Sequence, residues 1–429
     1  MKKKYRIILY TSIFLLCVVA SIILVVKKSN SVYEEESKPK VVKHKSMLSM
    51  NLEQTAGAGD YKTVTQSKWP TEGYKFNAEL SRCENGSTLS WDDTKKAVIV
   101  SGNLSDKCYV YFDIYQPTLA EYIKSQYTGT QGENNIYYHD SDLANGAGDN
   151  SYRYAGANPN NFVCFGSDTS PCPTDNLYRI IGVFGENYHG VTGKQLVKLI
   201  KYDYMTTDEL GTDGDYSQTY KEWGMDSTYK GTYGDGERIG VYYWNYKATN
   251  SATNTWSTSL LNKTNLNTNF INNIGTTWAN KIATVTWKVG GNTYANISQS
   301  VPATTYQNEI VNPVTTNTTD NATTYSAKIG LMYVSDYGFA ASPDAWTLTM
   351  SSYNNTTATN NNWMYMGLYE WTISRPADYS DLAFYVYYGG DVGGNGVYND
   401  VGVRASFSLE SSVSYVSGSG SMSDPIVIN

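Results

Sequence analysis

The chain has 429 residues, 17% of them charged and 14% aromatic, with 39 Tyr and a net charge of -7. Length implies two or three ordinary domains. The acidic balance argues against a basic nucleic-acid-binding stripe, and the aromatic content argues against disorder. With 3 His and 5 Cys, a His-rich metal enzyme is not expected.

Residues 1–28 are Lys-rich, then apolar, then Lys-rich again. The apolar run over 7–26 has about the 20 residues a bilayer-spanning helix needs. A cleaved secretory signal has a shorter apolar core. The run therefore favours an uncleaved signal-anchor, although Val18-Val19-Ala20 offers a cleavage site. Cys17 reads as an inert apolar residue in lipid. The expected placement is a single-pass cell-membrane protein with its C-terminal part extracellular, and flanking lysines on both sides leave orientation to the cysteines.

Residues 29–60 are polar, then small, and read as a stalk. Residues 61–114 form a small β module with Trp91 after an Asn85-Gly86-Ser87 turn and strands near 96–101 and 108–113. Beyond Cys17 the cysteines are Cys83, Cys108, Cys164 and Cys172, with no C-x-x-C spacing. An even number in an exported chain favours disulfides. Pairs Cys83–Cys108 and Cys164–Cys172 would each close a short loop. Two other pairings, or four buried thiols, remain open on sequence alone.

Residues 115–429 form one larger domain. A helix over 118–126 is expected, with Thr118 as N-cap and Glu121 completing a capping box. Strands over 177–184 and 195–202 read as a hairpin. A helix is expected over 256–270, and strands over 283–289, 329–334, 383–388 and 403–409. Asn/Thr-rich stretches at 302–327 and 351–362 read as long surface loops.

Chemistry-bearing motifs are sparse. His44, His139 and His189 stand beside no metal or nucleophile motif and read as exposed side chains. The run GGDVGGNG at 389–396 lacks the Lys-Ser/Thr of a phosphate loop and reads as a turn with positive φ. Two acidic clusters, His139-Asp140-Ser141-Asp142 and Asp213-Gly214-Asp215, offer oxygen ligands for calcium, but neither has the closing Glu of a calcium loop. No cofactor, metal ligand or catalytic residue is assigned, and the chain is not expected to be an enzyme. The clusters at 242–244, 363–371 and 385–388 carry rings suited to core or contact surface. Strict alternation at 385–388 sends some rings inward and some outward.

Within 371–405 stand Trp371-Thr372-Ile373-Ser374, then Ala383-Phe384-Tyr385-Val386, then Gly390-Asp391-Val392, then Val403-Arg404-Ala405. This order resembles the C-type-lectin-like fold, in the branch shared by formylglycine-generating-enzyme-like domains and retroelement-diversified variable proteins. The run Lys328-Ile329-Gly330-Leu331-Met332-Tyr333 resembles bacterial surface proteins of that branch. Ala405 stands where the pattern has Pro. The resemblance covers about the last 250 residues.

The fold class implied is α+β: an N-terminal transmembrane helix, a disulfide-stapled β module, then a C-type-lectin-like mixed domain. The resemblance also implies a ligand surface between the Trp and Val-Arg elements, comprising Arg375, Tyr379, Asp381, Tyr385, Tyr387, Asp391, Asn395, Tyr398 and Asn399. Calcium-dependent sugar binding does not carry over, because Trp244-Asn245-Tyr246 lacks the acid of the W-N-D triplet. Formylglycine chemistry does not either, because no cysteine follows Cys172. The expected partners are the membrane, through 7–26, and an extracellular protein or glycan, with no nucleic acid. The expected function is receptor- or adhesin-like binding. Its rivals are a polysaccharide hydrolase using paired carboxylates, with acids such as Asp381 or Asp391 but no specific pair marked by the sequence, and a structural surface-assembly subunit.

Overall fold

The computed structural model describes residues 48–65, 68–70, 73–103, 105–213, 217–219, 229–233, 238–245, 253–313 and 322–429. The chain divides into two compact units, Met1–Tyr115 and Gln116–Asn429.

The first unit holds β1 (Leu48–Glu53), β2 (Tyr61–Val64), β3 (Tyr74–Cys83), β4 (Thr88–Asp92), β5 (Ala97–Ser101) and β6 (Cys108–Ile114). Among the described residues, four of these strands pair in the order β2-β1-β6-β3, and β4 and β5 form a separate hairpin. Period-2 alternation in β6 buries Cys108, Val110 and Phe112 and leaves the tyrosines between them half-buried. Phe112 is the hub, with the rings of Trp91, Trp69 and Phe76 at 5.5, 5.9 and 5.9 Å. The expected Cys83–Cys108 disulfide forms between register partners on β3 and β6. One expectation is corrected. The end of the 29–60 stretch is not stalk, because β1 lies in the sheet with Met50 and Leu52 buried.

The second unit continues with β7 (Ile136–Tyr138), β8 (Tyr152–Tyr154), β9 (Phe162–Cys164), β10 (Leu177–Phe184), β11 (Leu196–Lys201), β12 (Ser217–Thr219) and β13 (Arg238–Tyr243). Then come β14 (Val285–Lys288), β15 (Thr324–Ala327), β16 (Ile329–Gly330), β17 (Glu370–Trp371), β18 (Leu382–Val386), β19 (Val392–Gly396) and β20 (Asp400–Gly402). Last are β21 (Ser406–Ser408), β22 (Tyr415–Ser417) and β23 (Val427–Ile428). One sheet runs β16-β21-β11-β10-β8-β7, with β9 also on β10; a second runs β12-β13-β20-β17-β18-β19. The expected hairpin is β10–β11, and every residue of both strands is buried. Its register slips between Ile180 and Gly182, where a Cβ on Gly182 would lie 2.2 Å from the Tyr152 carbonyl oxygen. The Cys164–Cys172 disulfide also forms.

The helix Leu119–Ser125 starts as its sequence dictates: Thr118 accepts from the Glu121 N–H, and the Glu121 carboxylate accepts from the Thr118 N–H. Other local expectations fail for identifiable reasons. Residues 256–270 form not one α-helix but a 3₁₀ turn, Trp256–Thr258, and a wider π-helical run, Leu261–Phe270. Side chains support the wider turn: Asn267 Nδ2 and Thr268 Oγ1 each donate to a carbonyl five residues back. The supposed loop 302–327 contains a helix, Pro302–Tyr306, opened by Pro at its first position, and also β15. The supposed loop 351–362 contains the helical turn Thr356–Thr359, capped by Asn355. Within 329–334 only β16 is strand, because a helix opens at Val334.

The expected fold class is corrected at its start. Residues 1–28 lie outside the described residues, and among the described residues no helix is long and apolar enough to cross a membrane. The most extended helical stretch, 260–279, is rich in Asn and Thr. The architecture is sheet-rich with short helices. Neither the N-terminal transmembrane helix nor a single-pass membrane placement through 7–26 is supported.

The small first core predicts a strong dependence on its disulfide. In the full chain, Cys83→Ser combined with Cys108→Ser is expected to weaken amide protection in β3 and β6 by about 2–5 kcal/mol. Hydrogen exchange followed by mass spectrometry reads this directly, and unchanged protection would contradict it.

Candidate functional site

The site is built on β17, β18 and β19, where alternation separates core from surface. Phe384 and Val386 point inward and are buried, whereas Tyr385 and Tyr387 are half-buried on the other face. Trp371 is the register partner of Tyr385, and Gly393 is its partner on the other side. Tyr369 lies two residues before Trp371 and shares the face. Its ring stacks on Tyr385 at 5.8 Å and meets Tyr387 edge-on at 4.8 Å. Tyr388, 42% exposed, completes the group at 5.4 Å from Tyr369 and 4.7 Å from Tyr387.

Asp391 begins the return strand beside these rings, its backbone carbonyl accepting from the Tyr387 N–H at 2.8 Å. Burial raises its carboxyl above the ordinary carboxylate range. The Tyr385 hydroxyl is pushed up to about 12, by burial first and then by the neighbouring Tyr387 and Asp391. Both shifts follow from partial desolvation of polar groups among rings.

The other expected residues fall into different places. Asn399 donates to Asn395 Oδ1 at 2.6 Å, and Asn395 Oδ1 also accepts from the Gly396 N–H. A Cβ at Gly396 would lie 2.7 Å from the Tyr398 ring. Tyr379 is 48% exposed and meets Tyr294 edge-on at 6.1 Å. Asp381 is exposed, and its carbonyl accepts from the Val397 N–H. The segment carrying these two residues is pinned by the buried Asn254, whose Nδ2 donates to the carbonyls of Tyr379, Leu382 and Pro376 at 2.7, 2.9 and 3.0 Å.

Arg375 is corrected outright. It is not a surface ligand residue but 1% exposed, with Nε donating to the Val289 carbonyl at 2.8 Å and neither terminal nitrogen hydrogen-bonded. Burial lowers its pKa to about 10.

Asp381 and Asp391 lie at opposite ends of one hairpin. Asp381 sits opposite Val397 and Asp391 opposite Tyr387. Six residue steps along the strand, from 381 to 387, therefore separate them, about 20 Å at the usual rise. Paired glycosidase carboxylates lie roughly 5–9.5 Å apart. These two acids do not form such a pair.

The run at 389–396 is part turn and part strand. Gly390 has φ of +101°, as expected, but Gly393, Gly394 and Gly396 belong to β19. Gly394 leaves room for Tyr294, whose ring would lie 2.8 Å from an added Cβ.

The histidines are corrected too. His139 and His189 are buried, with their Nδ1 atoms accepting from the Ala147 and Val191 N–H groups. His44 lies outside the described residues, as do Gly214 and Asp215 of the second calcium candidate. In the first, Asp140 Oδ1 accepts from the Asp142 and Leu143 N–H groups, an ordinary polar turn. Among the described residues, no three His, Cys, Asp or Glu side chains converge on one point.

No protein-family model matches this chain, and neither a curated protein nor a solved structure does. The assignment of the site therefore rests on its own geometry.

Behind the face, the motif residues wire the frame. Trp371 Nε1 donates to the Tyr242 carbonyl at 2.7 Å. Arg404 holds both carboxylate oxygens of Glu370 at 2.8 Å. Ser374 donates to Glu309, whose carboxyl also accepts from the Ser335 and Val334 N–H groups at 2.9 and 3.1 Å. Burial pushes Glu309 up to about 7, against the opposing pull of those donors. A carboxyl whose folded pKa is raised stabilises the fold fully below its unfolded pKa, and that contribution is lost as pH rises through the folded pKa. Between pH 4.5 and about 8, stability is thus expected to fall by up to about 3 kcal/mol from this group. Urea melts across that range should show a smaller decline for Glu309→Gln, and equal slopes would contradict it.

Proposed function

We propose that this protein is a binding protein that recognises a glycan or a protein ligand on the tyrosine face of β17–β19. The observation that carries the reading is the cluster of Tyr369, Tyr385, Tyr387 and Tyr388 on the outer side of that sheet, bordered by Asp391. Tyrosines give broad, stiff contact area with a polar tip and lose little side-chain entropy on binding. The half-buried Asp391 adds a directional acceptor at the border of the rings. A sugar ring meets such a surface through stacking on ring faces and hydrogen bonds at its rim, and a peptide segment meets it through the same groups. The resemblance of residues 371–405 to ligand-presenting variable domains supports the same face.

For the hydrolase reading, the hairpin geometry above rules out Asp381 and Asp391 as partners of each other. The reading as an assembly subunit has no specific contact in its favour.

The test is a glycan- and protein-array screen with residues 48–429, followed by titration of the best binder. Tyr387→Ala is expected to weaken binding about tenfold or more, the scale of a central aromatic contact. Tyr385→Ala and Asp391→Asn are expected to act in the same direction, with thermal unfolding close to wild type. Undiminished affinity in all three variants would remove the site.

A further inference from the structure

A group of charged side chains lies in the core of the second unit. Lys198 on β11 and Asp336 in the helix Val334–Phe339 are 1% and 0% exposed at their side chains, and Lys198 Nζ is 2.5 Å from Asp336 Oδ2. Aromatic rings enclose the ammonium: Tyr333, Tyr188 and Trp287 lie with centroids 4.5, 4.9 and 5.0 Å from Nζ. Tyr188 touches both partners, accepting from Nζ at 3.0 Å and donating to Asp336 Oδ1. The Tyr333 N–H donates to Oδ2 at 3.0 Å, and Arg153 Nη1 lies 3.9 Å from Oδ1.

We propose that Lys198 and Asp336 are a covalent modification site, at which the folded chain joins them through an intramolecular amide bond.

The chemistry balances without any added reactant. One proton leaves Nζ and one reaches the carboxyl, turning ammonium and carboxylate into amine and acid. The Tyr188 hydroxyl provides the route, because it accepts from Nζ while donating to Oδ1. The Nζ lone pair then forms a bond to Cγ. The Cγ–Oδ1 bond breaks, and Oδ1 departs as water with the relayed proton and a second one from nitrogen. Oδ2 remains as the amide oxygen, held by the Tyr333 N–H. Nothing is oxidised or reduced. The Arg153 guanidinium offsets negative charge as it develops on the carboxyl oxygens.

Three physical arguments favour the step over a permanent ion pair. A low-dielectric enclosure disfavours the charged ammonium, and burial lowers the Lys198 pKa. Amine and acid held in contact react at effective molarities of about 10⁵–10⁸ M. The surrounding rings also exclude bulk water, which would otherwise hydrolyse the product. A small cavity lined by Lys198, Tyr188, Trp287, Tyr333 and Ser408 adjoins the site and offers the released water a place.

Intact mass spectrometry of the purified, reduced full chain tests the proposal. The expected mass is one water below the sequence mass, with a branched tryptic peptide joining the segments that contain Lys198 and Asp336. Lys198→Arg and Asp336→Ala are expected at full mass. Tyr188→Phe, which keeps the ring and removes the relay, is expected to accumulate at full mass and lose water slowly. A wild-type chain at full sequence mass overturns the proposal, as does a water loss mapped to other residues. Wild-type conversion in Tyr188→Phe overturns the role of the relay.

Discussion

The tyrosine face depends on one buried guanidinium. Arg404 is 1% exposed and makes four polar contacts, three of them hydrogen bonds. Two go to the Glu370 carboxylate on β17, and the others to the carbonyls of Met364 at 2.7 Å and Tyr202 at 3.4 Å. Tyr202 directly follows β11, so the same side chain ties the core sheet to the sheet that carries the tyrosines. Burying two charges is costly, and such a pair is tolerated only where its remaining hydrogen-bonding capacity is met, as here. Its structural return is position. With Glu370 fixed, Tyr369 on one side and Trp371 on the other have a set orientation, and Tyr385 stacks against the first.

The interior beneath that frame is unusually polar, and asparagine carries much of it. Asn254, Asn262 and Asn265 are wholly buried, and each donates to at least one backbone carbonyl. Asn269 and Asn273 hold the carbonyls at the end of the short helix Thr207–Leu210. An amide side chain supplies two donors and an acceptor at fixed angles, so it satisfies loop carbonyls that no strand or helix reaches. This explains how the second unit, with many short elements, keeps a large hydrophobic core.

The same use of asparagine marks what was legible in the sequence. Features set by residues close in sequence could be read: the Thr118–Glu121 capping box and the β10–β11 hairpin. The two disulfides match the expected pairs, which the sequence left open to other pairings. Alternation at 385–388 sends no tyrosine ring into the core, because only Val386 is buried there. Features set by distant partners could not be read. Asn/Thr-rich composition at 302–313 and 351–362 reads as loop, yet helical turns form there once tertiary contacts hold them. Arg375, His139 and His189 carry polar side chains that a local reading places outside, and only packing shows them buried. At the site, Tyr385, Tyr387 and Asp391 follow from the resemblance and come together. Tyr369 lies in the aromatic cluster at 363–371 but is not among the residues the resemblance implies; its two-residue spacing from Trp371 places it on the same face. The resemblance puts Asp381 on the same surface as Asp391, and the hairpin sends them to opposite ends.

The glycines of β19 are not equivalent. At Gly394 a side chain would strike the Tyr294 ring, and at Gly396 the Tyr398 ring. Gly393 is different. An added Cβ there would sit 3.5 Å from Tyr385, an ordinary contact, and its φ lies outside the left-handed region. A new residue at this one position would stand among the tyrosines without displacing anything beneath them. The face thus has one place where its shape and polarity can change from within the strand, while the frame that holds it stays unchanged.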